Sequence, residues 1–112
     1  MSRDAGLLLH DIGDACEDIA GIVAGVDFDA FAASVEKVAA IERKVFVIGE
    51  AAARLPAEVR DQNTQVPWKL IIGMRNILAH SYWRIDRKVL GDGATRSIPA
   101  LLVEVRAMLK SG

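Results

Sequence analysis

One cysteine, three prolines and two histidines are all that this 112-residue chain holds of the residues that most often staple, break or metallate a fold. A lone Cys16 excludes an internal disulfide. Its place in an apolar pattern makes it an inert core residue in a reducing compartment. Aromatic residues are only 5% of the chain, so Ala, Val, Leu and Ile must fill the interior, which suits helices packed on helices. The longest uninterrupted apolar run, AGIVAGV, falls far short of a membrane span. The opening MSRDAG lacks the charged-then-apolar layout of a secretory signal. No G-x-x-x-x-G-K-[ST] phosphate loop occurs. No Cys/His spacing supports zinc, and no Ser–His–Asp arrangement is discernible. The expectation is a single soluble domain over residues 1–112, cytoplasmic, without metal or membrane.

The net charge of −1 conceals an uneven distribution. Residues 1–67 carry six Lys and Arg against twelve acids, whereas residues 68–88 carry five against Asp86 alone. Any anion that this chain handles should therefore meet the second segment. A solvated basic face would have the same composition.

No strand-like alternation appears; apolar residues recur at helical spacing. Leu8, Ile12, Ala15, Ile19, Ile22, Val23 and Val26 predict a helix over about residues 4–25, closed by Gly25 and Asp27. DFDAFAAS predicts a short helical turn. A second long helix is expected over about 34–54, with Val35, Val38, Ile41, Val45, Ile48 and Ala52 inward. Gly49 inside it costs about 1 kcal/mol relative to Ala, so another backbone should come close there. Pro56 and RDQNTQ make a connector with a helical turn at PAEVR, and Pro67 opens the third long helix. A stretch beginning near Asp86 should be broken by GDGA at 91–94. The last helix runs from about Ser97, with Ile98, Leu101, Leu102, Val105, Met108 and Leu109 inward. The fold class is all-α, an up-and-down four-helix bundle with short extra helices.

The third long helix is apolar on two sides. At about 100° per residue, Leu70, Ile71, Met74, Ile77 and Leu78 span an arc of roughly 120°, the expected core stripe. Opposite, Trp68, Ile72, Ala79 and, if the helix persists, Trp83 lie within about 60° of one another. That second face is expected to meet another copy across a twofold axis. Arg75 borders it on one side, Asn76 and His80 on the other. About 140° separates Arg75 from His80, too wide for contact within one straight helix, whereas a dimer could gather both pairs in one cleft.

A histidine in the last turn of a helix can serve only the helix dipole. Paired with arginine it can do chemistry. Arginine is permanently charged and its planar fork matches phosphate oxygens. Histidine moves protons near neutral pH. With no acidic cluster beside them, the two suit metal-independent cleavage of an RNA phosphodiester. His80 would assist the 2′-OH or protonate the leaving 5′-oxygen, and Arg75 would stabilise charge on the phosphoryl oxygens. The products would be a 2′,3′-cyclic phosphate and a 5′-hydroxyl. His10 belongs to the half-exposed side of the first helix.

PWKLIIGMRNILAHSYWRID resembles the signature of the HepT-like toxins, a branch of the HEPN superfamily of small helical ribonucleases. The family pattern of arginine, a polar residue and a following histidine is matched by Arg75, Asn76 and His80; the H-x-Y extension is matched by His80, Ser81 and Tyr82. VFVIGEAAARL and LLLHDIGDACEDI resemble its second and first helices, so the likeness covers about residues 4–110. The resemblance implies an RNA-cleaving toxin of a type VII toxin–antitoxin system, acting as a homodimer with a composite cleft. It implies a partner, an MntA-type minimal nucleotidyltransferase antitoxin, that uses ATP and magnesium to attach AMP to Tyr82. Asn76, Tyr82 and Arg84 would support the RNA phosphates, and cleavage itself would need no cofactor. The chain departs from the family at Leu90–Ala94, where a helix is usual. Glu50, in IGEA, is expected to pack or hydrogen-bond within the bundle, with lining the cleft as the other possibility. The alternative for the whole is a non-catalytic HEPN module that binds a nucleotide or a partner protein.

Overall fold

The structure, a computed structural model, describes residues 1–111, and at Tyr82 the backbone alone. Helix α1 (Arg3–Val23) is followed by short α2 (Phe28–Ala32), long α3 (Val35–Arg54) and short α4 (Ala57–Asp61). Then come α5 (Trp68–Ser81), a 3-10 turn (Tyr82–Arg84), α6 (Arg87–Asp92), a π turn (Gly93–Ser97) and α7 (Ile98–Ser111). No strand occurs among the described residues, and none of their helices is long and apolar enough to cross a membrane. The chain is all-α, as the periodicity predicts.

Side-chain caps fix where the helices begin. Ser2 Oγ accepts the Ala5 N–H at 3.1 Å, Asp27 Oδ1 that of Ala30 at 2.8 Å, and Ser34 Oγ that of Lys37 at 3.1 Å. Each satisfies a first-turn donor that has no intrahelical partner. Gly25, at φ 71°, ends α1 in the left-handed region that side chains avoid.

Helix α1 lies centrally, packed on both α3 and α7. Leu9, Ile12 and Ile19 meet Ile41, Ile48 and Val105 in a fully buried layer. Of the residues expected inward on α1, α3 and α7, Val35 departs: it stands in the first turn of α3 and is 71% exposed.

Cys16 is buried in this layer and free, as expected of a core residue. Burial pushes its thiol from the ordinary 9.0 up to about 12, with the neighbouring Glu17 adding to the rise and Arg106 opposing it. The folded chain thus holds this proton more tightly than the unfolded chain does. Its contribution to stability is complete below about pH 9 and drains between 9 and about 12. Denaturant melts over that range should lose up to about 1.4 kcal/mol per pH unit, a slope that Cys16→Ala removes. An identical slope in the variant would show that other groups carry it. Iodoacetamide should label Cys16 only after denaturation.

The expected break at residues 91–94 does not occur. The chain stays helical from Arg87 to Ser111, with one wide π turn at Gly93–Ser97. Two observations explain the glycine and the bulge. A Cβ on Gly91 would lie 3.3 Å from the Phe28 ring and 3.4 Å from that of Phe31, so this glycine serves the close approach of α2. Pro99 has no N–H for the Thr95 carbonyl and its ring would strike it. An extra residue in the turn just before Pro99 relieves that conflict. Thr95 Oγ1 donates to the Gly91 carbonyl at 3.0 Å, and the Arg87 guanidinium donates to the Ala32 carbonyl at the end of α2. The departure expected at Leu90–Ala94 is therefore not a break in the helix.

The bundle is open along one side. Helix α5 packs on α3, while α6 and α7 lean on α1 and α2. An apolar groove of about 360 Å³ separates Leu70 and Met74 of α5 from Val89, Ile98 and Leu101. Leu70, expected in the core stripe, is consequently 70% exposed.

Candidate active site

The site is built on α5, which starts on a fixed footing. The Pro67 carbonyl accepts the first helical bonds from Leu70 and Ile71, each at 3.1 Å. The Trp68 indole donates to the Asn63 carbonyl at 3.0 Å, and the Asn63 amide donates to the Val59 carbonyl at 2.7 Å. Trp68 is buried in the molecule's own core, and Ile72 is half-buried against that core. Of the face expected to meet a second copy, Trp68 is thus spent inside the fold, while Ile72 keeps part of its surface. Of that face, Ala79 and Trp83 are exposed. The helix also tightens after Ser81 into the 3-10 turn, so Tyr82 and Trp83 do not continue its α-helical spiral.

The line of contact between α5 and α3 runs through Ile71 and Arg75. A Cβ built on Gly49 would meet Arg75 Cβ at 2.3 Å and the Ile71 carbonyl oxygen at 3.2 Å. The missing side chain of Gly49 is therefore the notch that seats α5, as expected of a glycine within a helix. The contact line is rotated by roughly 80° from the centre of the expected core stripe, toward Arg75. One turn of apolar residues was a poor guide because apolar side chains occupy both sides.

Arg75 reaches along α3 to Glu50. Its Nε lies 3.2 Å from Glu50 Oε1. The nitrogen is shielded from solvent and makes no aligned hydrogen bond among the described residues, so the contact is a charge pair seen off its hydrogen-bonding axis. The Arg75 side chain is 27% exposed and that of Glu50 44%. His80 and Asn76 stand exposed on the outward side of the helix. Five residues separate Arg75 from His80, about 7.5 Å along the axis and about 140° around it. Arg84 is exposed in the 3-10 turn. The side chain of Tyr82 lies outside the described residues. Beside Asn76 runs a groove of about 770 Å³, bordered by Arg60, Lys69, Ile72 and Gly73. Arg60 Nε, like that of Arg75, is shielded and without a hydrogen-bond partner among the described residues.

A family model described as ribonuclease HepT-like matches residues 12–108. The chain belongs to that family. A protein of Caldanaerobacter subterraneus subsp. tengcongensis, named as a candidate RNase, is 33% identical to this HepT-like chain over 102 residues, 91% of either chain. A protein of Thermococcus cleftensis, named as a probable ribonuclease HepT, is 30% identical over 101 residues, 90% of this chain and 92% of its own. A candidate RNase of Methanocaldococcus jannaschii is 31% identical over 103 residues, 92% of this chain and 94% of its own. No solved structure matches.

The structure places the HepT-like pattern on one helix and its 3-10 extension: Arg75, Asn76 and His80 on α5, and the Tyr82 backbone just beyond. It does not bring Arg75 and His80 together within one chain. Two neighbours of these residues were not placed by the sequence. Glu50 was legible only as part of IGEA, with nothing to say that its partner would be Arg75. Arg60 sits in a connector helix with no periodic signal at all.

Proposed function

We propose that this HepT-like chain is a metal-independent endoribonuclease, the toxin of a type VII toxin–antitoxin pair, working as a homodimer. The observation that carries the proposal is the pairing on α5 of an exposed His80–Asn76 edge with a flank that holds the Arg75 guanidinium in place. That is a proton carrier and a fixed cation on one rigid element, in a family whose relatives are named for ribonuclease activity. His80 takes the proton of the ribose 2′-OH, or returns one to the departing 5′-oxygen. Arg75 holds the phosphoryl oxygens as charge gathers on them. The 2′-oxygen displaces the 5′-oxygen, leaving a 2′,3′-cyclic phosphate and a 5′-hydroxyl. The groove lined by Arg60, Lys69 and Asn76, with Asp61 as the acid in its lining, carries two cations for the neighbouring phosphates.

The separation of Arg75 from His80 supports a second copy, which supplies from across a twofold axis what one chain keeps apart. The exposed apolar side chains of Leu70 on α5 and Trp83 in the turn after it, at 70% and 71%, suit such a contact.

The test is incubation of purified RNA with the protein, freed of any adenylyl group, in EDTA. Cleavage with cyclic-phosphate ends is expected. RNA that binds but stays intact would leave the binding-module alternative in its place. Regulation is proposed through Tyr82, as the AMP acceptor for a nucleotidyltransferase antitoxin that uses ATP and magnesium; a bulky anion there would occupy Arg75 and exclude RNA. Intact mass after co-expression with such an antitoxin should show added AMP, lost in Tyr82→Phe. Retention of AMP in that variant would mean a different acceptor.

A further inference from the structure

Arg75 is gripped at two points by consecutive residues of α3. Its Cβ and Cγ lie in the notch of Gly49, and its Nε lies 3.2 Å from Glu50 Oε1. Glu50 has a nearer candidate along the chain. Arg54 stands four residues on in the same helix, the spacing and order at which Glu and Arg pair most readily. Yet among the described residues the ion pair that Glu50 makes is with Arg75, across the helix interface. Glu50 is likewise the carboxylate within ion-pair distance of Arg75 among the described residues. Its position on the Nε side matters chemically. The carboxylate charge stands beside Nε, off its hydrogen-bonding axis, and so draws that end of the guanidinium toward α3 while the Nη atoms remain for another anion.

We infer that Glu50 is the positioning residue of the site: it fixes the rotation of the Arg75 guanidinium so that its Nη atoms meet the phosphate, and its charge tempers how tightly that phosphate is held before reaction. The inference rests on the ribonuclease reading for its kinetic consequences, and on the Gly49–Glu50–Arg75 geometry for its structural ones. Two opposite effects follow. Loosening the guanidinium slows the chemical step, because a donor placed for the transition state loses its placement. Removing a negative charge beside the cation strengthens ground-state attraction to RNA. A residue that merely holds the fold produces neither split.

The experiment compares wild type, Glu50→Gln, Glu50→Asp and Glu50→Ala. In RNA cleavage, Glu50→Gln should lower kcat roughly tenfold while lowering KM about threefold. Glu50→Asp, which keeps the charge but falls short of Nε, should lower kcat without lowering KM. Wild-type kcat and KM in all three variants would overturn the inference. The second arm needs no activity: the Nε–H proton resonance of Arg75, assigned by its disappearance in Arg75→Lys, should be observable in wild type and broadened by solvent exchange in Glu50→Ala. If wild type leaves RNA intact, the ribonuclease reading fails and this resonance decides the inference alone. An unchanged Arg75 resonance in Glu50→Ala overturns it.

Discussion

His80→Ala should lower the rate of RNA cleavage by roughly 10²- to 10⁴-fold, the span over which a positioned proton carrier contributes. His80 is exposed near the end of α5, so its loss leaves the packing intact and the deficit falls on chemistry rather than on folding. Arg75→Ala should cost about 10²- to 10³-fold, as removal of one donor to a developing oxyanion does elsewhere. The more discriminating result comes from mixing the two dead proteins. If each site takes arginine from one copy and histidine from the other, a mixed dimer holds one intact site and one doubly damaged site. Exchange of subunits at equal amounts should then restore about a quarter of the wild-type rate, since half the dimers are mixed and each has one working site of two. If both groups come from the same chain, mixing restores nothing. A monomeric protein by sedimentation gives the same negative answer from the other direction.

The elements of this fold were legible because apolar periodicity gave the faces of α1, α3 and α7. The caps that fix the starts of α1, α2 and α3, Ser2, Asp27 and Ser34, are seen in the structure. The orientation of α5 was not legible, for a physical reason. A helix with Leu70, Met74 and Ile77 on one side and Trp68 and Ile72 on the other has no single direction of burial. What settles its rotation lies elsewhere in the chain: the bare backbone at Gly49 and the carboxylate at Glu50. The sequence marked Gly49 as a place of close approach and Glu50 as a residue that packs, hydrogen-bonds or lines the cleft, but nothing in it named α5 or Arg75 as what they meet. The segment 91–94 misled in a complementary way. Its two glycines look like a stop, but Gly91 makes room for Phe28 and Phe31, and the π turn before Pro99 carries the helix through. The arginine and histidine of the site were visible as a spacing, because both lie on one element. The partnership of Arg75 with Glu50 was not, since nothing local distinguishes it from a pair with Arg54.

The role of Gly49 makes the largest prediction for stability. Elsewhere in a helix, Gly→Ala gains up to about 1 kcal/mol, because alanine loses less backbone freedom on folding. Gly6→Ala and Gly21→Ala in α1 should show that gain, since no neighbouring atom lies within 4 Å of either added Cβ. At Gly49 the same change puts a Cβ 2.3 Å from Arg75 Cβ, and neither atom can rotate away because both are fixed by backbone. The helices must part, which opens gaps around Ile48 and Ile71 and costs about 1–3 kcal/mol or more by the usual penalty for overpacking. A 2.3 Å approach puts the cost at the upper end of that range, so set against the propensity gain the net loss should be about 2 kcal/mol, or roughly 10 °C in melting temperature for a chain of this length. The sign is the test: denaturant melts at matched protein concentration should separate Gly49→Ala from the two α1 controls in direction, not only in size. Cleavage should fall further than the folded fraction does, because parting α3 from α5 also draws Arg75 off Glu50. A Gly49→Ala protein as stable and as active as Gly21→Ala would mean that α5 does not depend on this notch for its seat.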